Sequence, residues 1–173
     1  MNLRQIQRLK HLSDYCRSSG PKFMFELLLP PTEAQRKHSR DPEFYDRELR
    51  PHLLLEAISI LQDEGIEPDI WKIEGLDRRE DCERVVGIAR RDGRDEVGCI
   101  VLGRAAADEK VIHWLETAAS VPGFIGFAVG RSTFWDAMAA YVAGNATREE
   151  TSHAIASRYR NWTAVFERSR ALA

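Results

Sequence analysis

Short apolar segments alternate with amphipathic ones along the chain, and this alternation predicts the secondary structure. Four segments are short and mostly apolar, as expected for strands that are covered on both faces: Lys22–Leu29, Asp69–Glu74, Val97–Leu102 and Phe124–Val129. A segment with apolar residues at helical spacing follows each of them. The pattern therefore predicts four strand–helix units.

The predicted helices lie before, between and after these strands. The first runs from about Leu3 to Arg17 and is stopped by Gly20-Pro21. The others are expected to begin near Pro51, after the candidate N-cap Asp77, at Asp108, at Thr133 and at the capping box Thr147–Glu150. Gly65 is the expected C-cap of the helix that begins near Pro51. The polar residues from Thr32 to Glu43 predict a long loop.

Strands that alternate with helices favour a parallel α/β sheet joined by right-handed crossovers. Two closures of such a sheet remain open, a doubly wound sheet and a barrel. A nucleotide-binding doubly wound sheet usually has a glycine-rich turn after its first strand, where this chain has Pro30-Pro31-Thr32. We therefore expect residues 1–173 to form a single domain with half the strands of a (β/α)₈ barrel.

Composition and charge exclude several classes of partner. The chain has 173 residues, a net charge of -2 and no basic stripe, so we expect neither a nucleic-acid nor a membrane-surface partner. Its apolar runs are far shorter than the roughly 20 residues of a transmembrane helix, and a cytoplasmic location is expected. The three cysteines and five histidines show no metal-type spacing, so no metal site is predicted.

A lysine and two carboxylates are expected on one face of the sheet. Alternate side chains of a strand share a face, which groups Lys72 with Glu74 and Met24 with Glu26. In barrel enzymes the carboxyl ends of the strands hold the chemistry. A catalytic lysine would need burial or nearby cations such as Arg104 and Arg131 to favour its free amine. The alternative is a structural salt bridge from the lysine to either carboxylate.

A second candidate site joins the fourth strand to its helix. The segment Gly130-Arg131-Ser132-Thr133 combines a glycine, a guanidinium and a helix start, which together suit a phosphate. The alternative is a helix N-cap formed by Ser132 or Thr133 beside a surface arginine. Glu74 and Arg104, near neighbouring strand ends, are further candidates for substrate contacts.

The aromatic residues outside these segments are interpreted as packing residues or anchors. The four tryptophans and one tyrosine expected to pack are Trp71, Trp114, Trp135, Trp162 and Tyr159. The pair Tyr45-Asp46 is expected in a loop on the predicted active face and is interpreted as a loop anchor.

Four segments, taken in order, resemble a known domain: Phe25-Glu26-Leu27, Asp69–Leu76, Cys99–Arg104 and Gly126–Asp136. They resemble the uncharacterised barrel domain fused to the C-terminus of the bacterial inositol-catabolic kinase (5-dehydro-2-deoxygluconokinase), over nearly the whole chain. That domain is distantly similar to class I tagatose-bisphosphate aldolases, whose eight-stranded chains are about twice as long. The resemblance implies that this chain is the C-terminal half of a TIM-type barrel.

The resemblance also implies roles for individual residues. Lys72 falls where the aldolases have their Schiff-base lysine, and Glu26 falls where they have an acid/base carboxylate. Gly130-Arg131 falls where they have a phosphate-binding turn. This implies a cofactor-free class I lyase for a phosphorylated keto sugar or sugar acid, with inositol catabolism as the suggested pathway. The alternative is a non-catalytic sugar-phosphate-binding or accessory half-barrel that has lost turnover.

An open four-stranded sheet predicts assembly with another chain. Its first and fourth strands have unpaired edges, and its inner face would present Met24, Leu28 and Ile70 to solvent. We expect a two-fold homodimer that pairs these edges into eight strands. A complementary partner chain supplying the other half-barrel is the alternative.

Overall fold

The computed structural model describes residues 3–38, 42–104 and 106–172 and contains one parallel four-stranded sheet. The strands are β1 (Met24–Leu27), β2 (Ile70–Glu74), β3 (Gly98–Leu102) and β4 (Phe124–Ala128). Their order in the sheet is β1-β2-β3-β4, and every neighbouring pair is parallel. The prediction of a parallel α/β sheet in sequential order is confirmed, although β1 ends at Leu27 and not at Leu29.

Helices precede, connect and follow the strands. They are α1 (Leu3–Ser19), α2 (Glu33–His38), α3 (Pro42–Phe44), α4 (Arg50–Asp63), α5 (Arg79–Ala89), α6 (Asp108–Ala119), α7 (Arg131–Val142) and α8 (Arg148–Ala171). A π-helical turn, Tyr45–Leu49, joins α3 to α4, and a 3₁₀ turn, Arg91–Gly93, follows α5. Two end signals are confirmed: Gly65 adopts the left-handed conformation after α4, and Thr147 and Glu150 form a complete capping box.

The two faces of the sheet differ in their burial. Trp71 and Ile73 of β2 are fully buried in a core cluster that also contains residues of α4, α5, α6 and α8. On the opposite face the side chains of Met24, Leu28 and Ile125 are 50%, 54% and 48% exposed. Helices therefore cover one face, and the face that carries the candidate chemistry is open in the part of the chain that the structure describes.

The predicted loop from Thr32 to Glu43 is wrong where the structure describes it. α2 begins inside it, because the side chain of Thr32 accepts the N–H of Gln35 at 3.3 Å and the Gln35 side chain accepts the N–H of Thr32 at 2.8 Å. This is a capping box, and the Thr-x-x-Gln spacing could have revealed it. α3 begins at Pro42, and residues 39–41 lie outside the described residues.

Two predicted helix starts are also wrong. Asp77 does not cap α5, because its carboxylate accepts the indole N–H of Trp114 at 2.7 Å and pairs with Lys110 at 2.8 Å. α7 begins at Arg131, with Gly130 as its N-cap and no side-chain cap. The capping role considered for Ser132 or Thr133 is therefore wrong, since both residues lie inside the first turn.

The packing prediction for the aromatic residues holds for three of the five. Trp71, Trp114 and Trp162 are buried, whereas Trp135 and Tyr159 are exposed. The Tyr159 ring still lies 5.8 Å from that of Phe127. Among residues 3–38, 42–104 and 106–172, no helix combines the length and apolar character needed to span a bilayer.

Candidate functional site

A lysine–carboxylate pair lies on the open face of the sheet. The register places Glu26 of β1 beside Lys72 of β2, and Lys72 Nζ lies 2.9 Å from Glu26 Oε2. The side chains are 22% exposed for Lys72 and 46% exposed for Glu26. Glu26 is thus the salt-bridge partner of the lysine, and solvent or a ligand can reach the pair.

Arg104 follows β3 and is held by two carboxylates. Its Nε lies 3.0 Å from Glu74 Oε1, and its Nη1 donates to Asp46 Oδ1 at 2.7 Å. The second oxygen of Glu74 accepts the backbone N–H of Leu29 at 3.1 Å. Glu74 is therefore buried but fully engaged, and it links the ends of three neighbouring strands.

The electrostatics of this network keep Arg104 cationic and Tyr45 neutral. Burial lowers the pKa of Arg104, but the hydrogen bond to Asp46 and the charge of Glu74 outweigh it and raise the pKa above its ordinary value. Burial, with a smaller effect from Glu74, raises the pKa of Tyr45. Tyr45 accordingly donates its hydroxyl proton to the carbonyl oxygen of Leu29 at 2.7 Å.

The start of α7 offers backbone donors next to a guanidinium. The N–H groups of Thr133 and Phe134 both donate to the carbonyl oxygen of Gly130, at 2.8 and 3.3 Å. In the described part of the chain, the N–H groups of Arg131 and Ser132 have no protein acceptor. Such amides, with the helix dipole behind them, attract an anion.

These groups surround one cleft of about 200 Å³, which we call the strand-end cleft. Its lining residues are Glu26, Lys72, Leu102, Gly103, Arg104, Ala128, Gly130, Arg131 and Ser132. Six of the seven residues predicted from the sequence line it. The seventh, Glu74, lies behind Arg104 and contacts the cleft only through that side chain.

A larger cavity of about 510 Å³ lies at the amino ends of the strands, beside Phe23, Asp69 and Val97. Three of the charged side chains that line it are already paired: Asp69 lies 2.7 Å from Lys22 Nζ, and Arg94 donates to both oxygens of Glu67 at 2.7 Å. Volume alone therefore does not identify the site, and the strand-end cleft is the stronger candidate because of its chemistry.

The sequence interpretation missed the groups behind Arg104. The sequence predicts only a loop anchor at Asp46, yet its Oδ1 accepts from both Arg104 and Arg50, the latter at 3.0 Å from Nε. The Arg50 side chain is only 1% exposed and also donates to the carbonyl oxygen of Gly75 at 2.8 Å. The four-residue spacing of Asp46 and Arg50 was the available signal.

Replacing Arg131 by alanine should weaken the binding of a sugar phosphate at least tenfold, about 1.4 kcal/mol. The substitution removes the guanidinium beside the free amides of α7 but leaves the amides themselves in place. Calorimetric titration with dihydroxyacetone phosphate measures the change. Arg79→Ala, on the exposed face of α5 and paired with Glu83, is the matched control and should bind like the parent. Equal affinity of the Arg131 variant and the parent would eliminate this anion site.

Comparison with known protein families relates the chain to other proteins without giving it an activity. No curated protein matches the sequence. A family described as an uncharacterized protein conserved in bacteria (DUF2090) matches residues 1–170 of the 173. The match spans all four strands and every residue that lines the strand-end cleft. The chain therefore belongs to the DUF2090 family.

Proposed function

We propose that this protein is a class I aldolase-type lyase acting on a phosphorylated keto sugar or sugar acid. The observation that carries the proposal is the accessible pair of Lys72 and Glu26, 2.9 Å apart in a cleft that also contains Arg131. A primary amine, a carboxylate and an anion-binding helix start are the groups that Schiff-base cleavage of a sugar phosphate requires.

The reaction assigns a separate task to each group. Lys72 Nζ, as the free amine, attacks the ketone carbon, and loss of water gives an iminium. Glu26 accepts the proton of the hydroxyl group whose carbon forms the breaking carbon–carbon bond. The bonding electrons pass into the iminium, which leaves an enamine and releases an aldehyde. Protonation and hydrolysis of the enamine return the amine and the ketone product.

The remaining residues of the cleft hold the substrate. Arg131 and the amides at the start of α7 bind the phosphate, and Arg104 provides a second cationic donor at the end of β3. Binding at both β3 and β4 fixes the keto carbon against the lysine, so that attack becomes effectively intramolecular.

The architecture that we propose for this activity is the C-terminal half of a TIM-type barrel. The parallel strands in sequential order and the helices on one face support it. The resemblance to the kinase-fused barrel domain adds the expectation of a role in inositol catabolism.

A second candidate function is a non-catalytic, sugar-phosphate-binding half-barrel. The ion pair itself favours it, because an ammonium held by Glu26 is not a nucleophile. Both functions need the phosphate site, and only the lyase needs Lys72 to form a covalent bond.

Covalent trapping separates the two functions. Incubation of the protein with dihydroxyacetone phosphate and borohydride should leave a stable secondary amine on Lys72, because borohydride reduces an imine. Mass spectrometry of proteolytic peptides locates the added mass. If a folded protein that binds keto-sugar phosphates gives no adduct with any of them, the lyase is rejected in favour of the binding function.

A further inference from the structure

Behind the strand-end cleft, Asp46 shares one oxygen between two arginines. Its Oδ1 accepts from Arg50 Nε at 3.0 Å and from Arg104 Nη1 at 2.7 Å. The Arg50 side chain is only 1% exposed, and its Nη1 has no hydrogen-bond partner in the described structure. A fully buried cation must be paired, so Asp46 is held in place from behind. On the side of the cleft, the same carboxylate oxygen accepts the hydrogen bond from Arg104.

Glu74 and Asp46 together hold the Arg104 guanidinium, an arrangement that we call the Arg104 clamp, and they leave one of its nitrogens for a ligand. Glu74 forms an ion pair with Arg104 at Nε, 3.0 Å away, and Asp46 accepts a hydrogen bond from Nη1. Within the described residues, Nη2 donates no hydrogen bond. The guanidinium is planar, so fixing two of its nitrogens also fixes the third. Arg104 also has a φ of 51°, a left-handed conformation that is unfavourable for a non-glycine residue. Both contacts oppose relaxation of this backbone and hold the side chain at the cleft.

The π-helical turn explains why Asp46 can reach this position. Tyr45–Leu49 inserts the wider π spacing between α3 and α4, and Arg50 closes it through its backbone N–H to the carbonyl oxygen of Tyr45. Tyr45 then donates to the carbonyl oxygen of Leu29, two residues after β1, while Asp46 accepts from Arg104, two residues after β3. Short π-helical turns within helices often occur at functional sites.

We infer that Asp46 is a positioning residue, which orients Arg104 so that its free Nη2 binds an anionic oxygen of the ligand in the strand-end cleft. The inference rests on the proposed function only in taking this cleft as the anion-binding site. It does not require Lys72 to react.

A purely electrostatic role of Asp46 and a positioning role predict opposite effects of Asp46→Asn on anion binding, which makes the inference testable. If Asp46 acted only by its charge, removing a negative group near the cleft would tighten anion binding. If it positions Arg104, binding weakens, because the guanidinium loses its second anchor. We expect calorimetry to show about tenfold weaker binding of dihydroxyacetone phosphate by Asp46→Asn. Asp14→Asn is the control, since Asp14 also forms an i,i+4 ion pair, with Lys10 on α1, outside the cleft. It should bind like the parent.

A mutant cycle tests whether Asp46 acts through Arg104. Arg104→Ala should also weaken binding about tenfold, and the Asp46→Asn/Arg104→Ala double variant should be no weaker than Arg104→Ala alone. Additive losses, tighter binding by Asp46→Asn, or an Arg104→Ala variant with parental affinity would each overturn the inference.

Loss of the Asp46 carboxylate also leaves the buried Arg50 guanidinium without its ion-pair partner, which destabilises the fold. If Asp46→Asn does not fold, Asp46→Asn/Arg50→Met removes both charges of the buried pair and leaves Arg104 without its anchor. This variant should show the same tenfold loss, and parental affinity would overturn the inference. The covalent trapping experiment is independent, because a protein that gives no adduct can still lose phosphate affinity when Asp46 is changed.

Discussion

Replacing Lys72 by arginine should abolish covalent trapping by borohydride. Arginine retains the positive charge and can still pair with Glu26, so the cleft keeps its ionic contact. Its guanidinium is protonated at every accessible pH and cannot form the imine. The expected result is complete loss of the adduct, with sugar-phosphate binding changed little because Arg131 and the amides of α7 are untouched.

The matched control for this experiment is Lys110→Arg. Lys110 lies on α6, outside the cleft, and its Nζ is 2.8 Å from the carboxylate of Asp77. Its side chain is partly exposed, like that of Lys72. The Lys110 variant should be trapped as efficiently as the parent, with the mass still on Lys72. An adduct that survives Lys72→Arg would mean that another amine reacts, and it would remove Lys72 from the mechanism.

Light scattering coupled to size exclusion should find a dimer of twice 19.8 kDa at micromolar concentration. Within the described residues β1 and β4 each pair on one side only, and the open face exposes Met24, Leu28 and Ile125. Burying such apolar surface is worth about 25 cal/mol per Å². We propose a two-fold axis parallel to the strands, which places β4 of one copy beside β1 of the other and continues the sheet to eight strands.

Charge on the open face should dissociate this dimer. Met24→Asp places a carboxylate among the apolar residues of the edge strand, and we expect it to elute as a folded monomer. Leu172→Asp, at an exposed apolar position after α8, is the control and should remain dimeric. A monodisperse parent monomer with a cooperative melt would refute the dimer, and an interface formed only with a second protein would favour a complementary chain.

The strands and their order could be predicted because their signals are local. The mostly apolar segment around Trp71 predicts a buried strand, and alternation places Lys72 and Glu74 on the face opposite to Trp71. The meeting of Lys72 with Glu26 then follows from sequential parallel pairing, which puts β1 beside β2. The residues of the strand-end cleft were therefore within reach of sequence reasoning.

The contact of Asp46 with Arg104, which lies behind the cleft, could not be predicted in the same way. Asp46 and Arg104 are 58 residues apart, and their contact depends on a π-helical turn for which the sequence gives no distinct signal. Asp77 failed as a predicted cap because a tertiary contact with Trp114 took its carboxylate. Trp135 was predicted to pack because of its residue type, which does not determine whether a neighbour covers it.

The hydrogen bond from the Leu29 N–H to Glu74 makes the hydrogen exchange of this amide a measure of the state of the site. Most strand amides are protected from hydrogen exchange by a neighbouring backbone carbonyl, and they measure the opening of the sheet. The Leu29 N–H instead donates to a carboxylate that also holds Arg104. We therefore expect its exchange rate to rise when the Glu74–Arg104 contact loosens, so that a single amide resonance can distinguish loosening of the cleft from unfolding of the protein.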